Sequence, residues 1–192
     1  MTIFSDVEAL IIVDVQNDFC GGGALEVPDG DAVVDPINAL AREIAFVVAT
    51  RDWHPPDHHS FATQGGPWPV HCVRDTPGAQ LRADLDASAI DAIVDAGREP
   101  EHEGYSGFEH TSLEQQLRER GIDTVHVAGL ALDYCVRATA LDARRLGFDV
   151  VLHRDATRAV ELNPGDGDRA EAELREAGVL VTGRQPSHPQ RA

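Results

Sequence analysis

Residues 125–142 read VHVAGLALDYCVRATALD, an apolar run followed directly by a helical pattern. The first half has the composition of a buried strand, and the second half has the spacing of an amphipathic helix. A strand that leads into a helix is the repeating unit of a parallel sheet. Cys135 lies where the predicted helix begins. Unpaired backbone N–H groups and the helix dipole are expected to lower the pKa of a thiol there. A buried, inert cysteine is the competing interpretation.

The alternation of apolar runs and amphipathic segments continues along the whole chain. It predicts an α/β fold with three α/β/α layers and a mostly parallel, Rossmann-like sheet of about six strands. The predicted strands lie near residues 8–14, 45–50, 91–95, 123–129, 148–153 and 178–181. The clearest predicted helices span residues 31–44, 111–120, 134–146 and 167–177, and Gly121, Gly147 and Gly178 are expected to end helices.

Length and composition predict one domain, because the chain has 192 residues of which 42% are hydrophobic. We expect this domain to span residues 1–182 and residues 183–192 to form a flexible tail. An odd count of three cysteines argues against structural disulfides. No apolar run is long enough to span a bilayer. We therefore expect a cytoplasmic protein.

The charge balance excludes several classes of partner. The chain has 33 acidic and 16 basic residues, for a net charge of −17, and every basic residue is an arginine. Such a surface repels phosphate backbones and anionic lipids. We therefore expect a small-molecule substrate and neither nucleic acid nor membrane as a partner. A homo-oligomer stays open, since the sequence does not reveal the oligomeric state.

Chemically active side chains follow the predicted strands at the edge of the sheet where ligands bind in parallel α/β folds. Asp14 follows the first strand. A carboxylate beside a buried strand is costly unless it is paired or used. We interpret Asp14 as a candidate base for Cys135, with a turn cap as the alternative.

The loop after the second strand concentrates imidazole and carboxylate groups. These are Asp52, His54, His58, His59 and His71. One carboxylate with two or three imidazoles suits zinc, iron or manganese. The sequence therefore predicts a divalent metal site, with surface histidines clustered by chance as the alternative.

Three aromatic residues, Phe19, Trp68 and Tyr105, lie in loops that follow strand ends. Only 5% of the residues are aromatic, so aromatic residues placed in loops are expected to line a pocket for a flat ring. Simple packing is the alternative.

Five motifs occur together in this chain: VDVQNDF (13–19), RDWHPPDH (51–58), WPVHC (68–72), GYSGFE (104–109) and GLALDYCVRATALDA (129–143). In combination they resemble the nicotinamidases, or pyrazinamidases, of the isochorismatase-like cysteine hydrolase superfamily. The resemblance extends from residue 8 to residue 181. It implies hydrolysis of nicotinamide, or of pyrazinamide as an analogue, to the acid and ammonia through an acyl-enzyme.

The resemblance also implies a role for each site residue. Cys135 matches the nucleophile, and Asp14 matches the acid and base. The backbone N–H groups of Ala131 and Cys135 match the oxyanion hole, with a cis peptide bond before Ala131. The residues around the ring match Phe19, Trp68 and Tyr105. The ligands of one divalent ion, first of all zinc and otherwise iron or manganese, match Asp52, His54 and His71, with His58 as a further ligand in some members.

One position departs from the family pattern. The family has a lysine immediately before the glycine that corresponds to Gly97, as part of an Asp-Lys-Cys triad, and this chain has Ala96 there and no lysine anywhere. An ammonium group would keep Asp14 ionised and favour the Cys135 thiolate. Three interpretations are open: a lysine changed to alanine in a functional enzyme, a divergent member that is inactive or uses another amide, and rescue by Arg98.

Two further functions stay open at this point. One is a related cysteine amidase that acts on another small amide. The other is a catalytically inactive protein that binds a metal and a small ligand.

Overall fold

A parallel sheet organises residues 8–183, which are the residues that the computed structural model describes. Its six strands are β1 (Glu8–Val13), β2 (Phe46–Asp52), β3 (Ala92–Ala96), β4 (Thr124–Leu130), β5 (Asp149–Arg158) and β6 (Leu180–Thr182). They are ordered β3-β2-β1-β4-β5-β6, and every neighbouring pair is parallel. The chain therefore builds outward from β1 in one direction and then from β4 in the other. The carboxyl ends of β1 and β4 flank this switch point, where such sheets bind ligands.

Helices cover both faces of the sheet. They are α1 (Val34–Ala41), α2 (Leu113–Glu119), α3 (Arg137–Arg145) and α4 (Asp166–Glu176). One buried cluster joins Leu117 of α2 and Leu174 of α4 to Val127 of β4. A second cluster joins Ile37 of α1 to Leu130 on the opposite face. The predicted three-layer α/β/α fold is confirmed.

The predicted glycine stops are also confirmed. Gly121, Gly147 and Gly178 follow α2, α3 and α4 with φ angles of 65°, 89° and 84°. This left-handed backbone costs glycine little and commonly ends a helix.

Three helix boundaries differ from the prediction. Residues 30–33 form a tighter 3₁₀ turn, so α1 begins only at Val34, and it ends at Ala41 rather than at residue 44. Between β4 and α3, Leu132–Val136 forms a π-helical turn in which N–H of Val136 donates to O of Ala131. The wider turn delays α3 to Arg137 and places Cys135 inside the turn rather than in an α-helix. Such turns occur often at functional sites.

Among residues 8–183, no helix combines the length and the apolar character needed to cross a membrane. The single domain over residues 1–182 stays a prediction. Of the predicted tail, only Gly183 is described, and residues 184–192 lie outside the described part of the chain.

Candidate active site

Asp14 directly follows β1 and is almost fully buried. Its backbone has a φ of 47°, which is uncommon for a residue with a side chain. The hydroxyl of Thr50 donates to Oδ1 of Asp14 at 2.5 Å and accepts from the backbone N–H of Asp14 at 3.2 Å. Burial, followed by the charge of Asp52, raises the pKa of Asp14 to about 7, whereas the Thr50 hydrogen bond lowers it. Thr50 thus holds a carboxyl group that titrates near neutrality.

Cys135 is buried in the π-helical turn, with 7% of its surface exposed. Burial, together with the charges of Asp14 and Asp52, raises the pKa of its thiol well above the usual value. The expectation of a lowered thiol pKa is therefore wrong in this structure. Two buried carboxylates and the loss of solvation outweigh the favourable field of the helix that follows.

The peptide bond between Leu130 and Ala131, in the turn before Cys135, is cis, as the family resemblance implies. Ala131 and Cys135 line one cavity, so their backbone groups lie beside the space that a substrate would occupy.

Asp52, His54 and His71 form a buried cluster whose possible ligand atoms lie within 4.8 Å of one another. Oδ2 of Asp52 is 2.8 Å from Nε2 of His54 and 3.3 Å from Nε2 of His71. Burial alone would raise the pKa of Asp52, but the charges and hydrogen bonds of the two histidines lower it well below its usual range. The carboxyl group is therefore ionised at neutral pH.

The far sides of both rings are fixed by backbone carbonyl groups. Nδ1 of His54 donates to O of Gly97 at 3.0 Å, and Nδ1 of His71 donates to O of Pro69 at 2.8 Å. In a neutral ring, Nε2 then directs its lone pair at the Asp52 carboxylate, which requires a proton or a metal ion between them. Metal-binding histidines are commonly oriented in this way. The cluster therefore fits a divalent metal ion.

Position 97, beside this cluster, requires glycine for both its backbone conformation and its lack of a side chain. It has a φ of 63°, and a Cβ atom there would lie 2.6 Å from Cε1 of His54. A side chain at position 97 would displace the His54 ring.

His58 packs against the cluster but does not direct a ring nitrogen into it. Its ring stacks on His54 with a centroid distance of 3.8 Å. Its Nδ1 is 2.7 Å from Oγ of Ser60, and its Nε2 donates to O of His102 at 2.8 Å. Because both ring nitrogens are engaged, the structure does not place His58 as a ligand. Burial lowers the pKa of its ring to about 4, which keeps it neutral.

The three predicted ring-binding aromatic residues line the cavity beside Cys135. The lining includes Phe19, Asp52, Trp68, His71, Tyr105, Ala131 and Cys135. Nε1 of Trp68 donates to the hydroxyl of Tyr105 at 2.9 Å, which fixes the two rings relative to each other. The cavity thus places a thiol, aromatic side chains and two members of the metal cluster side by side.

Three residues of the site are not predicted from the sequence. Tyr134 lines the cavity and packs edge-on against Trp68 at 5.0 Å, because the π-helical turn directs it there. Thr50 hydrogen-bonds to the side chain of Asp14, and Gln16 hydrogen-bonds to the backbone of Asp52. Gln16 lies in the VDVQNDF motif, so that motif carried a signal for it.

Ala96 ends β3 directly beside Asp52, with which it is in register, and is 3% exposed. Its methyl group supplies no charge. Arg98 is exposed and lines a different cavity of about 300 Å³, together with Asp95, Glu99 and Glu109. Arg98 does not line the cavity that Cys135 lines, and rescue by this residue finds no support in the structure.

Comparison with known proteins places this geometry in a family. Residues 8–185 match the isochorismatase domain. The chain belongs to the isochorismatase family. One relative is the nicotinamidase of Escherichia coli (strain K12). The two sequences are 43% identical over 199 aligned residues, and the alignment covers 90% of this chain and 93% of that protein.

Two solved structures of similar proteins agree with the family assignment. The pyrazinamidase of Pyrococcus horikoshii in complex with zinc is 47% identical, with a TM-score of 0.86 over 93% of this isochorismatase-family chain and 99% of that one. PnC1 from L. infantum in complex with nicotinate is 42% identical, with a TM-score of 0.89 over 95% of both chains. The resemblance predicted from the five motifs is confirmed.

Proposed function

We propose that this chain is a metal-dependent amidohydrolase that converts nicotinamide to nicotinate and ammonia. The observation that carries the proposal is one cavity lined by the Cys135 thiol, by members of the metal cluster and by Phe19, Trp68 and Tyr105. A nucleophile, a flat apolar lining and a metal beside it together suit an amide on an aromatic ring that contains nitrogen. The E. coli relative is a nicotinamidase, and the L. infantum structure contains nicotinate, which is the expected product.

The first half of the reaction forms an acyl-enzyme. Sγ of Cys135 attacks the carboxamide carbon while Asp14 accepts the thiol proton. The negative charge that develops on the carbonyl oxygen is stabilised by the backbone N–H groups of Ala131 and Cys135. When the C–N bond breaks, Asp14 returns the proton to the leaving nitrogen, and ammonia departs from the thioester.

The second half reverses the roles. Water attacks the thioester carbon, Asp14 accepts a proton from that water, and the C–S bond breaks. The sulfur of Cys135 takes up the proton from Asp14, which restores the thiol and releases nicotinate. A carboxyl group with a pKa of about 7 is suited to both directions of proton transfer.

Asp52, His54 and His71 would hold one divalent ion. We propose zinc, with iron and manganese as alternatives, because the donor set is one carboxylate with two imidazoles and the P. horikoshii relative binds zinc. When bound, the ion supplies a Lewis acid for the ring nitrogen of the substrate. His58 as a further ligand is not part of the proposal.

The lining of the site accounts for the choice of substrate, and the free cysteines of the chain bear on its compartment. The aromatic lining and the metal cluster favour nicotinamide, and its analogue pyrazinamide, over an aliphatic amide. We place the protein in the cytoplasm, because Cys20, Cys72 and Cys135 are all unpaired thiols, as is usual in a reducing compartment.

The test of the function is a direct assay of nicotinate and ammonia with zinc-loaded protein. We expect a higher kcat/KM for nicotinamide and pyrazinamide than for an aliphatic amide such as maleamate. Hydrolysis of maleamate at the higher kcat/KM would instead support the alternative amidase. Zinc and nicotinamide binding without product, even after Ala96→Lys, would support a catalytically inactive binding protein.

Removing the metal is predicted to weaken both stability and activity. A ligand that binds only the folded chain stabilises it by about 2.7 kcal/mol at a concentration 100 times its Kd. We therefore expect the metal-free protein to have a lower Tm that rises again with added zinc. Nicotinamide hydrolysis should fall and recover in parallel. Unfolding curves that coincide with and without zinc would contradict the assignment of the cluster.

The Thr50→Val substitution is predicted to reduce kcat/KM about 10- to 100-fold, because a hydrogen bond to a charged group contributes about 1.5–3 kcal/mol. The hydroxyl stabilises ionised Asp14, so its loss raises a pKa that is already about 7. Less of the base is then ionised at a given pH. The acidic limb of the pH–rate profile should therefore move to higher pH.

Thr50→Ser is the matched control, since it keeps the hydroxyl group. We expect it to retain the profile of the unmodified chain. Identical pH profiles for the valine and serine variants would rule out this role for the hydroxyl.

A further inference from the structure

The segment that follows β1, residues 14–19, contacts each part of the candidate site. Asp14 is the proposed base, and Phe19 lines the cavity. Oδ2 of Asp18 accepts from the backbone N–H of Cys72, the residue after His71, at 2.7 Å. Gln16 lies between them and is completely buried. The proposed reaction leaves this buried amide without a role.

The side chain of Gln16 binds both backbone polar groups of Asp52. Its Nε2 donates to O of Asp52 at 2.8 Å, and its Oε1 accepts from N–H of Asp52 at 2.8 Å. The same Nε2 also donates to O of Ala79 at 2.8 Å. Both amide hydrogens and the amide oxygen are therefore used on the backbone.

These hydrogen bonds take the place of the strand pairing that β2 lacks at its carboxyl end. The residue pairs between β1 and β2 end at Ile12 and Ala49, whereas β2 continues to Asp52. On its other side, Asp52 is in register with Ala96 of β3. On the side of β2 that faces β1, the Gln16 amide makes the two backbone hydrogen bonds that a neighbouring strand would otherwise make to Asp52. It fixes the peptide groups from which the Asp52 carboxylate projects.

We propose that Gln16 is a positioning residue for the metal site. It holds the backbone of Asp52 so that Oδ2 stays between Nε2 of His54 and Nε2 of His71. Supporting contacts of this kind tune metal affinity because they set the direction of the ligand. This inference rests on the metal site of the proposed function and does not depend on the substrate.

The test is the zinc affinity of a Gln16→Met variant. Methionine keeps the length of the side chain and removes every hydrogen bond to Asp52. We expect the Kd for zinc, measured by competition with a chromogenic chelator in the absence of substrate, to increase about 10- to 100-fold. The Tm of the metal-free variant is measured in parallel.

Asn38 offers a matched control on α1. Its Nδ2 donates to O of Asp84 at 2.9 Å, and its Oδ1 accepts from N–H of Asp86 at 2.8 Å. Asn38→Leu therefore removes the same kind of two-way amide contact at a place away from the metal cluster. We expect it to lower the Tm of the metal-free protein and to leave the zinc Kd unchanged.

Two results would overturn the inference. One is an unchanged zinc Kd for Gln16→Met. The other is an equal loss of affinity in Asn38→Leu, which would mean that general destabilisation is the cause. If Gln16→Met folds only with zinc, the zinc concentration at the midpoint of folding reports its affinity. A Gln16→Asn variant, which keeps the amide but shortens its reach, should also bind zinc more weakly.

The inference and the proposed function can fail separately. Zinc binding by the unmodified chain without nicotinamide hydrolysis, even after Ala96→Lys, would overturn the function and leave the role of Gln16 intact.

Discussion

The Ala96→Lys substitution is expected to raise kcat/KM for nicotinamide at least ~10²-fold, an allowance for restoring one member of a coupled catalytic group. The measurement is the initial rate of nicotinate formation by the two zinc-loaded proteins. Ala96 ends β3 in register with Asp52 and is buried, so a lysine there would extend from the edge of the sheet that carries the site.

The physical reason lies in the charges around Cys135. Burial and the charges of Asp14 and Asp52 raise the pKa of the Cys135 thiol, and burial raises that of Asp14 to about 7. Both shifts reduce the amount of reactive anion at neutral pH. An ammonium group beside them lowers both pKa values. The acidic limb of the pH–rate profile should therefore move to lower pH in the lysine variant.

Two control variants separate this effect from others. Ala92→Lys adds the same charge at the opposite end of β3 and should leave the rate unchanged. Ala96→Met adds a chain of similar length without charge and should not increase the rate. Equal rates for the unmodified chain and Ala96→Lys would show that the missing cation is not what limits the reaction.

This experiment also distinguishes the interpretations of Ala96. A large gain supports a lysine lost from an otherwise functional enzyme, because Asp14, Cys135 and the metal cluster remain in place. No gain, together with activity on another amide, supports a divergent member. Arg98, which lines a separate cavity, should tolerate replacement by alanine without loss of activity.

The sequence predicts the fold well because the central strands β1, β2 and β4 are almost completely buried. Their apolar runs are distinct from the amphipathic helices between them. The boundaries of α1 and α3 are less predictable. The 3₁₀ turn before α1 and the π-helical turn at Cys135 use the same residue types as an α-helix, so local composition does not separate them.

The site is predicted less completely than the fold. Histidine density in the loop after β2 points to a metal but contains no information on ring direction, so His58 cannot be separated from His54 and His71. The pKa of Cys135 depends on carboxylates from β1 and β2 that only the folded chain brings near it. Thr50 and Gln16 act through side-chain hydrogen bonds to residues 36 positions away in the chain, which no local pattern encodes.

The Cys135→Ala substitution is expected to abolish hydrolysis, with a decrease in kcat of at least ~10³-fold, as for the loss of a nucleophile in other hydrolases. The proposed reaction forms a thioester on this sulfur, and alanine has no atom that can replace it. The variant is best made in the Ala96→Lys background, where a higher starting rate leaves room to measure the decrease. Nicotinamide should still bind, because the aromatic lining and the metal cluster are unchanged.

Cys20 is the matched control for this thiol. It is also buried and unpaired, and burial raises the pKa of its thiol to about 11, but it does not line the cavity. Cys20→Ala should therefore leave kcat unchanged. Alkylation adds a second readout: Ala96→Lys should accelerate the reaction of Cys135 with iodoacetamide, and nicotinamide should protect it, whereas Cys20 responds to neither. Hydrolysis that survives Cys135→Ala would reject the acyl-enzyme and would require water itself to attack the amide.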